Sequence, residues 1–111
     1  MKSFKKQINK GVLELSILKI LNEQDQYGYA IIQTIKLKSD GKLIMKDGTL
    51  YPILYRLEDG EFIESYWETE LEGRSKPRKY YKITVKGKER FESMLEDYLE
   101  ISNGVNLLLK S

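Results

Sequence analysis

The sequence DGTLYPILYRLEDG at residues 47–60 decides the fold of this 111-residue chain. Its large aliphatic residues recur at three- and four-residue intervals, which predicts a helix to about Asp59 with one buried face. Pro52 lies near the start of this helix, where a missing backbone amide is best tolerated, and Gly60 is placed to end it in a left-handed conformation. The residues of the predicted buried face are Leu50, Ile53, Leu54 and Leu57.

The segments before this helix predict two further helices. Residues 8–22 carry an apolar stripe at helical spacing, and residues 27–38 carry a second stripe with Gly28 at the helix entry. The polar residues 23–26 predict a short turn between them. The chain is therefore predicted to begin with three helices.

Two strands and a long helix are predicted to follow. Residues 62–68 and 79–83 are rich in aromatic and β-branched residues, and a charged, turn-rich loop at residues 70–78 separates them. Thr84 is placed to cap a last helix from Val85, which carries an apolar seam typical of helix-on-helix packing. The seam is too short to be stable alone, so it needs the main domain, a second chain, or both. Its residues are Phe91, Met94, Tyr98, Ile101, Val105 and Leu108.

The composition argues against an enzyme. The chain has 19 basic and 17 acidic residues, no cysteine and no histidine, which excludes disulfides, thiolate or histidine metal sites and histidine-based acid–base catalysis. Adjacent carboxylates such as Glu58 and Asp59 point about 100° apart on a helix, so they do not converge on one substrate. A Ser-Lys nucleophile stays open, without a glycine-rich turn to support it. We expect no catalytic residues, no metal and no cofactor.

Several motifs in one order resemble the PadR-like family of regulators. They are YGY at residues 27–29, GTLYP at 48–52, LEDG at 57–60, IESYWE at 63–68 and RKYYKIT at 78–84. The resemblance implies a winged helix-turn-helix fold, mainly α with a small β-hairpin wing (α+β). It also implies two parts, a DNA-binding domain at residues 1–84 and a C-terminal dimerisation helix at 85–111. With its short single C-terminal helix, the chain resembles a smaller subclass of the family, whose members often respond to small, flat, hydrophobic compounds.

Candidate DNA contacts lie on the third helix and on the wing. A helix with a polar outer face fits the major groove, and basic residues in a hairpin loop fit the sugar-phosphate backbone. The alternatives are an ordinary amphipathic helix and a solvated hairpin tip. For the N-terminal lysines Lys2, Lys5, Lys6 and Lys10, solubility is the simpler role and contact with DNA phosphates is the alternative. The candidates are Thr49, Tyr51, Pro52, Tyr55 and Arg56 on the helix, and Arg74, Lys76, Arg78 and Lys79 on the wing.

The last helix carries the candidate dimer interface and effector site. The seam residues Phe91, Met94, Tyr98, Ile101, Val105 and Leu108 are expected to form the interface between two chains. Leu15, Met94, Tyr98 and Ile101 are candidates to line a pocket for a flat apolar ligand, with simple dimer core as the alternative. Trp67 is expected in the core, with a position near a ligand or at the wing base as the alternative.

These observations predict a sequence-specific DNA-binding regulator, and the resemblance implies a homodimeric repressor relieved by a small hydrophobic or aromatic effector. Its partners would be double-stranded DNA carrying an inverted repeat and a second copy of the chain. The sequence has no apolar stretch like that of a signal peptide or a membrane span, so we expect the cytoplasm. Two rival hypotheses are a winged-helix protein-interaction module and a small-molecule binding protein with vestigial DNA binding.

Overall fold

The computed structural model describes residues 3–68 and 76–111, which form four helices and three strands. This confirms the predicted α+β winged helix-turn-helix arrangement, three helices followed by a hairpin and a long helix. In chain order the elements are α1 (Phe4–Glu23), β1 (Gln26–Tyr27), α2 (Gly28–Lys38), α3 (Asp47–Asp59), β2 (Ile63–Glu68), β3 (Arg78–Ile83) and α4 (Val85–Lys110).

The sheet is antiparallel, with β3 between β1 and β2. Strands β2 and β3 pair from Ile63 opposite Ile83 to Glu68 opposite Arg78, and they form the predicted wing. Strand β1 was not predicted, because residues 23–26 suggested only a polar turn. Two residues are too few for an alternating pattern, and pairing with β3 makes this segment a strand.

One core joins the helices to the sheet. The predicted buried face of α3 packs against α1, α2 and the inner face of β2 and β3, where Tyr81 is only 2% exposed. Gln26 is the buried polar side chain of this core, and its amide oxygen accepts a hydrogen bond from the Thr34 hydroxyl at 3.1 Å. The core therefore leaves the opposite face of α3 open to solvent.

Two helix boundaries differ from the expectation. Helix α1 begins at Phe4 rather than at residue 8. The sequence did not predict this first turn, because it is exposed and carries no apolar pattern. Gly60 ends α3 with a φ of −80°, and Glu61 takes the left-handed conformation with a φ of 62°. The expected left-handed Gly60 was therefore wrong. A glycine is needed at position 60 for packing instead, because a Cβ there would lie only 2.6 Å from the Phe62 ring.

Thr84 caps α4, as predicted. Its hydroxyl oxygen accepts a hydrogen bond from the Gly87 amide at 3.0 Å, and the hydroxyl donates to the Glu61 carbonyl oxygen at 2.7 Å. The residue therefore ties the start of α4 to the turn after α3.

Replacing Thr84 with alanine will lower the free energy of unfolding by about 1 to 2 kcal/mol, because the α4 cap is lost. Urea denaturation followed by circular dichroism measures the change. Thr84→Ser is the matched control, since it keeps the hydroxyl, and it should stay within about 0.5 kcal/mol of the parent chain. Equal stabilities of the alanine and serine variants would contradict the assigned cap.

Candidate nucleic-acid interface

The outer face of α3 has two flanks, and the candidate contact residues divide between them. Thr49, Pro52 and Arg56 are exposed and lie on the flank next to α1. Tyr51 and Tyr55 lie on the flank next to the sheet. Helical spacing explains the division, because positions three and four apart share a side of a helix. The structure therefore places the five candidates of α3 around its solvent side, with Tyr51 at the margin.

On the sheet side, α3 and the wing enclose a cleft of about 480 Å³. We call it the wing cleft. It brings together candidates from α3 and from β3 that are more than 20 positions apart in sequence. The residues that define it are Tyr29, Tyr51, Tyr55, Trp67, Arg78 and Lys79.

Tyr51 is half-buried rather than fully exposed. Its hydroxyl lies over Gly28, where an added Cβ would be 2.5 Å from the hydroxyl oxygen. Burial, followed by the negative charge of Asp47, raises the pKa of Tyr51. The hydroxyl therefore stays protonated at neutral pH and can donate a hydrogen bond at the N-terminus of α2.

Trp67 is 60% exposed, so the expected core position was wrong. On β2 it shares a face with Ile63, which is 2% exposed, but it lies further along the strand, near the loop end of the hairpin. The helices cover Ile63 and not Trp67. The indole therefore forms one wall of the wing cleft.

Stacked aromatic rings position Arg78. Its guanidinium carbon lies 4.2 Å from the centre of the Tyr27 ring, which meets Tyr80 edge-on at 5.5 Å. Tyr80 in turn stacks on Tyr66 at 5.7 Å. The Tyr66 hydroxyl donates to Asp25 at 2.7 Å, and this hydrogen bond raises the pKa of Tyr66 to about 12. Arg78 is therefore held by a cation–π contact at the loop end of β3, where it pairs with Glu68.

The other basic residues of the wing are placed less closely. Lys79 is half-buried beside Tyr81, with its ammonium nitrogen 5.7 Å from the ring centre, and Lys76 is exposed. Arg74 lies outside the described residues. Among the wing candidates, Arg78 and Lys79 therefore join the wing cleft.

On the α1 side, α3 borders a second depression of about 750 Å³, which we call the basic groove. This groove was not predicted, because solubility was the favoured role of the N-terminal lysines and phosphate contact only the alternative. The four-residue spacing of Lys6 and Lys10 was the available signal, since it places them on one side of a helix. Its defining residues are Lys6, Lys10, Lys46, Thr49, Pro52 and Arg56.

The four effector candidates meet in one groove between α1 and α4, with a volume of about 560 Å³. Leu15 comes from α1, and Met94, Tyr98 and Ile101 come from α4. Ile8 and Val12 extend the apolar lining, and Asp97 also borders it. We call this the helix groove, and most of its lining is apolar.

The apolar seam of α4 is divided between the core and the surface. Phe91 is 7% exposed and belongs to the core of its own chain, which corrects its expected place in a dimer interface. The start of α4 packs against α1 and covers this ring. Met94 is half-buried, and the rest of the seam is open to solvent. The exposed seam residues are Tyr98, Ile101, Val105 and Leu108.

Within residues 3–68 and 76–111, no group of three or more carboxylates lies in a position to hold a metal ion. None of the helices there is long and apolar enough to cross a membrane.

Comparison with known proteins identifies the family. A family model described as the transcriptional regulator PadR-like family matches residues 17–93. The chain belongs to the PadR-like family of transcriptional regulators. The match covers α2, α3 and the wing, and it includes both sides of the wing cleft.

Similar proteins cover nearly the whole chain. A PadR-like regulator from Bacillus cereus is 35% identical, with 95% of this chain and 98% of that chain covered and a TM-score of 0.79. A transcriptional regulator from Clostridium thermocellum is 32% identical, with 90% and 95% covered and a TM-score of 0.81. An uncharacterised protein of Lysinibacillus sphaericus is 34% identical over 103 residues, 93% of each chain.

PadR-like membership settles the class of function. Proteins of this family are transcriptional regulators and not enzymes, and regulation of transcription implies DNA as a partner. The four helices and three-stranded sheet are the PadR-like winged-helix fold. The outer face of α3 and the wing cleft are therefore the natural candidates for contact with DNA.

Proposed function

We propose that this PadR-like protein is a homodimeric repressor that acts in the cytoplasm. Residues 1–84 would bind an inverted-repeat DNA site, and residues 85–111 would join the two chains. A small hydrophobic or aromatic effector would release the DNA. The observation that carries this proposal is the open outer face of α3, with basic and polar residues on both flanks.

The recognition helix would enter the major groove with its exposed residues. This groove is about 12 Å wide and admits an α-helix. Thr49 would contact a thymine methyl group or a phosphate, and Arg56 a guanine edge or a phosphate. Pro52 and Tyr55 lie between them on the exposed face, and the Tyr51 hydroxyl would donate to a phosphate.

The wing would lie along the neighbouring sugar-phosphate backbone. Arg78 is held on the Tyr27 ring, so little side-chain entropy would be lost when it binds a phosphate. Lys79, Lys76 and Arg74 would add charge in the same region. Contacts of this kind fix the register of the recognition helix without reading the sequence.

The exposed seam of α4 supports the homodimer. Ile101 is 67% exposed and Leu108 is 71% exposed, and an apolar strip of this kind on a 26-residue helix needs a partner surface. Two-fold pairing along Met94, Tyr98, Ile101, Val105 and Leu108 would place the two recognition helices about one turn of DNA apart, on half-sites separated by roughly 34–36 Å.

The helix groove supports control by an effector. An apolar ligand between Leu15, Met94, Tyr98 and Ile101 would contact both α1 and α4. Since α4 would also join the two chains, a shift of α4 would change the separation of the recognition helices. The ligand would release DNA only through a higher affinity for the arrangement that does not fit the operator.

Selection from a random duplex DNA pool tests this proposal. The purified protein is incubated with the pool at about physiological salt, and the bound DNA is recovered and sequenced. We expect an enriched inverted repeat. No enrichment by folded, dimeric protein would overturn the proposal and favour the protein-interaction module instead.

The double variant Arg56→Ala and Arg78→Ala should bind the selected operator at least about 30-fold more weakly, since two charged contacts are worth about 1 to 3 kcal/mol each. Fluorescence anisotropy of labelled operator measures the change. The matched control is Lys36→Ala with Lys88→Ala, two exposed cations away from both flanks of α3. Unchanged affinity of the arginine variant would show that the operator is bound through other residues.

A further inference from the structure

The basic groove is the part of the α3 surface that the proposed recognition of DNA does not use fully. Lys6 and Lys10 come from α1, Lys46 precedes α3, and Arg56 lies two turns into α3. The three lysines are exposed. Among the described residues that line the groove, none is a carboxylate. The residues that line the groove therefore carry four positive charges and no negative charge.

The spacing of the two lysines on α1 fits a phosphate backbone. Four residues of α-helix rise about 6 Å, and successive phosphates of one DNA strand advance about 3.4 Å along the duplex axis. With flexible four-carbon side chains, Lys6 and Lys10 can reach two phosphates of the same strand. Thr49 and Pro52 of the recognition helix border the same groove, so these phosphates would flank the base pairs that α3 contacts.

A role in folding does not explain this charge. The first 13 residues contain no acidic residue, and Lys5 and Lys6 lie in the first turn of α1. The N-terminus of a helix carries partial positive charge, so cations there are placed unfavourably for helix stability. Acidic residues, and not lysines, are the side chains favoured at the start of a helix.

We propose that Lys6 and Lys10, with Lys46, bind DNA phosphates on the side of α3 opposite the wing. This inference rests on the proposed function and extends its contact surface. The two α1 lysines lie before residue 17, where the match to the PadR-like family begins, so they are a feature of this chain rather than of the matched region. The wing and α1 would then hold the backbone on both sides of the recognition helix.

The double variant Lys6→Gln and Lys10→Gln tests the inference in the full chain. Binding to the selected operator and to a random duplex is measured by fluorescence anisotropy between 50 and 200 mM salt. Each lost phosphate contact lowers the slope of log affinity against log salt by about 0.9. We expect a slope smaller by about 1.8 per chain on both duplexes, with the preference for the operator unchanged. For a dimer that binds through both chains the slope falls by about 3.6, so the difference in affinity between variant and parent shrinks about 150-fold over this range.

The matched control is Lys36→Gln with Lys88→Gln, which removes the same charge elsewhere on the surface. It should keep the parent slope. The inference would be overturned if the Lys6→Gln and Lys10→Gln variant kept the salt dependence of the parent chain, or if the control lost salt dependence to the same extent. Either result would leave the proposed function intact. A parent chain that binds neither duplex would instead overturn the proposed function, and this inference with it.

Discussion

Gly87→Ala will destabilise the chain by at least about 3 kcal/mol. Gly87 lies in the first turn of α4, where the helix crosses the start of the hairpin. A Cβ on Gly87 would overlap the carbonyl oxygen of Phe62 and lie 2.7 Å from Ile83 Cγ1. The carbonyl belongs to the backbone, so it cannot turn aside as a flexible side chain would.

The surrounding hydrogen bonds make this site rigid. The Thr84 amide donates to the same Phe62 carbonyl at 3.0 Å, and the Gly87 amide donates to the Thr84 hydroxyl oxygen. A shift of α4 that made room for a methyl group would break these bonds and expose Phe91, which α4 packs into the core. Thermal melting should show a fall of at least about 12 °C, at roughly 4 °C per kcal/mol.

Gly104→Ala is the matched control in the same helix. Nothing lies within 4 Å of a Cβ at Gly104, so the substitution should leave stability unchanged or raise it by up to about 1 kcal/mol. Of the two glycine-to-alanine substitutions, only the one at Gly87 should therefore lower the stability of the chain. A Gly87→Ala chain that melts with the parent would show that α4 can move away from β2 at little cost.

The fold was predictable from sequence wherever a buried face repeats with the helical period. Leu50, Ile53, Leu54 and Leu57 of α3 are all buried, and the cap at Thr84 is where the sequence places it. Strand β1 was not predictable, because a two-residue strand is created by its neighbour β3 and has no pattern of its own. The position of Trp67 was predicted wrongly for a related reason. Strand alternation shows on which face of the sheet a residue lies, but it does not show where the helices that cover this face end.

The candidate site was predictable residue by residue, but its arrangement was not. The exposed residues of α3 follow from its periodicity, and the family motifs pointed to Arg78 and Lys79. The packing of Arg78 on Tyr27 depends on the pairing of β1 with β3, which the sequence pattern did not reveal. The basic groove likewise needs α1 and α3 side by side before Lys6, Lys10 and Arg56 share one surface.

Ile101→Glu will dissociate the proposed dimer, raising its dissociation constant at least about 100-fold. Burying an isoleucine side chain contributes about 1.5 to 3 kcal/mol, and a two-fold interface contains the residue twice. The loss is therefore about 3 kcal/mol or more before the cost of burying a carboxylate, and 1.4 kcal/mol corresponds to tenfold. Ile101 is 67% exposed in the single chain, so each chain should stay folded.

Light scattering coupled to size exclusion gives the mass, and circular dichroism confirms the helices. Asn103→Glu is the matched control, because it adds the same charge on the opposite, exposed side of α4 and should remain dimeric. Dissociation of the Asn103 variant with retention of the Ile101 dimer would place the interface on the other face of α4.

The Ile101 variant should also lose most of its affinity for the inverted repeat, since a single chain contacts only one half-site and loses the affinity gained when two linked chains bind together. Phe91 cannot serve in this experiment, because its ring belongs to the core and its loss would unfold the chain that the measurement must leave intact.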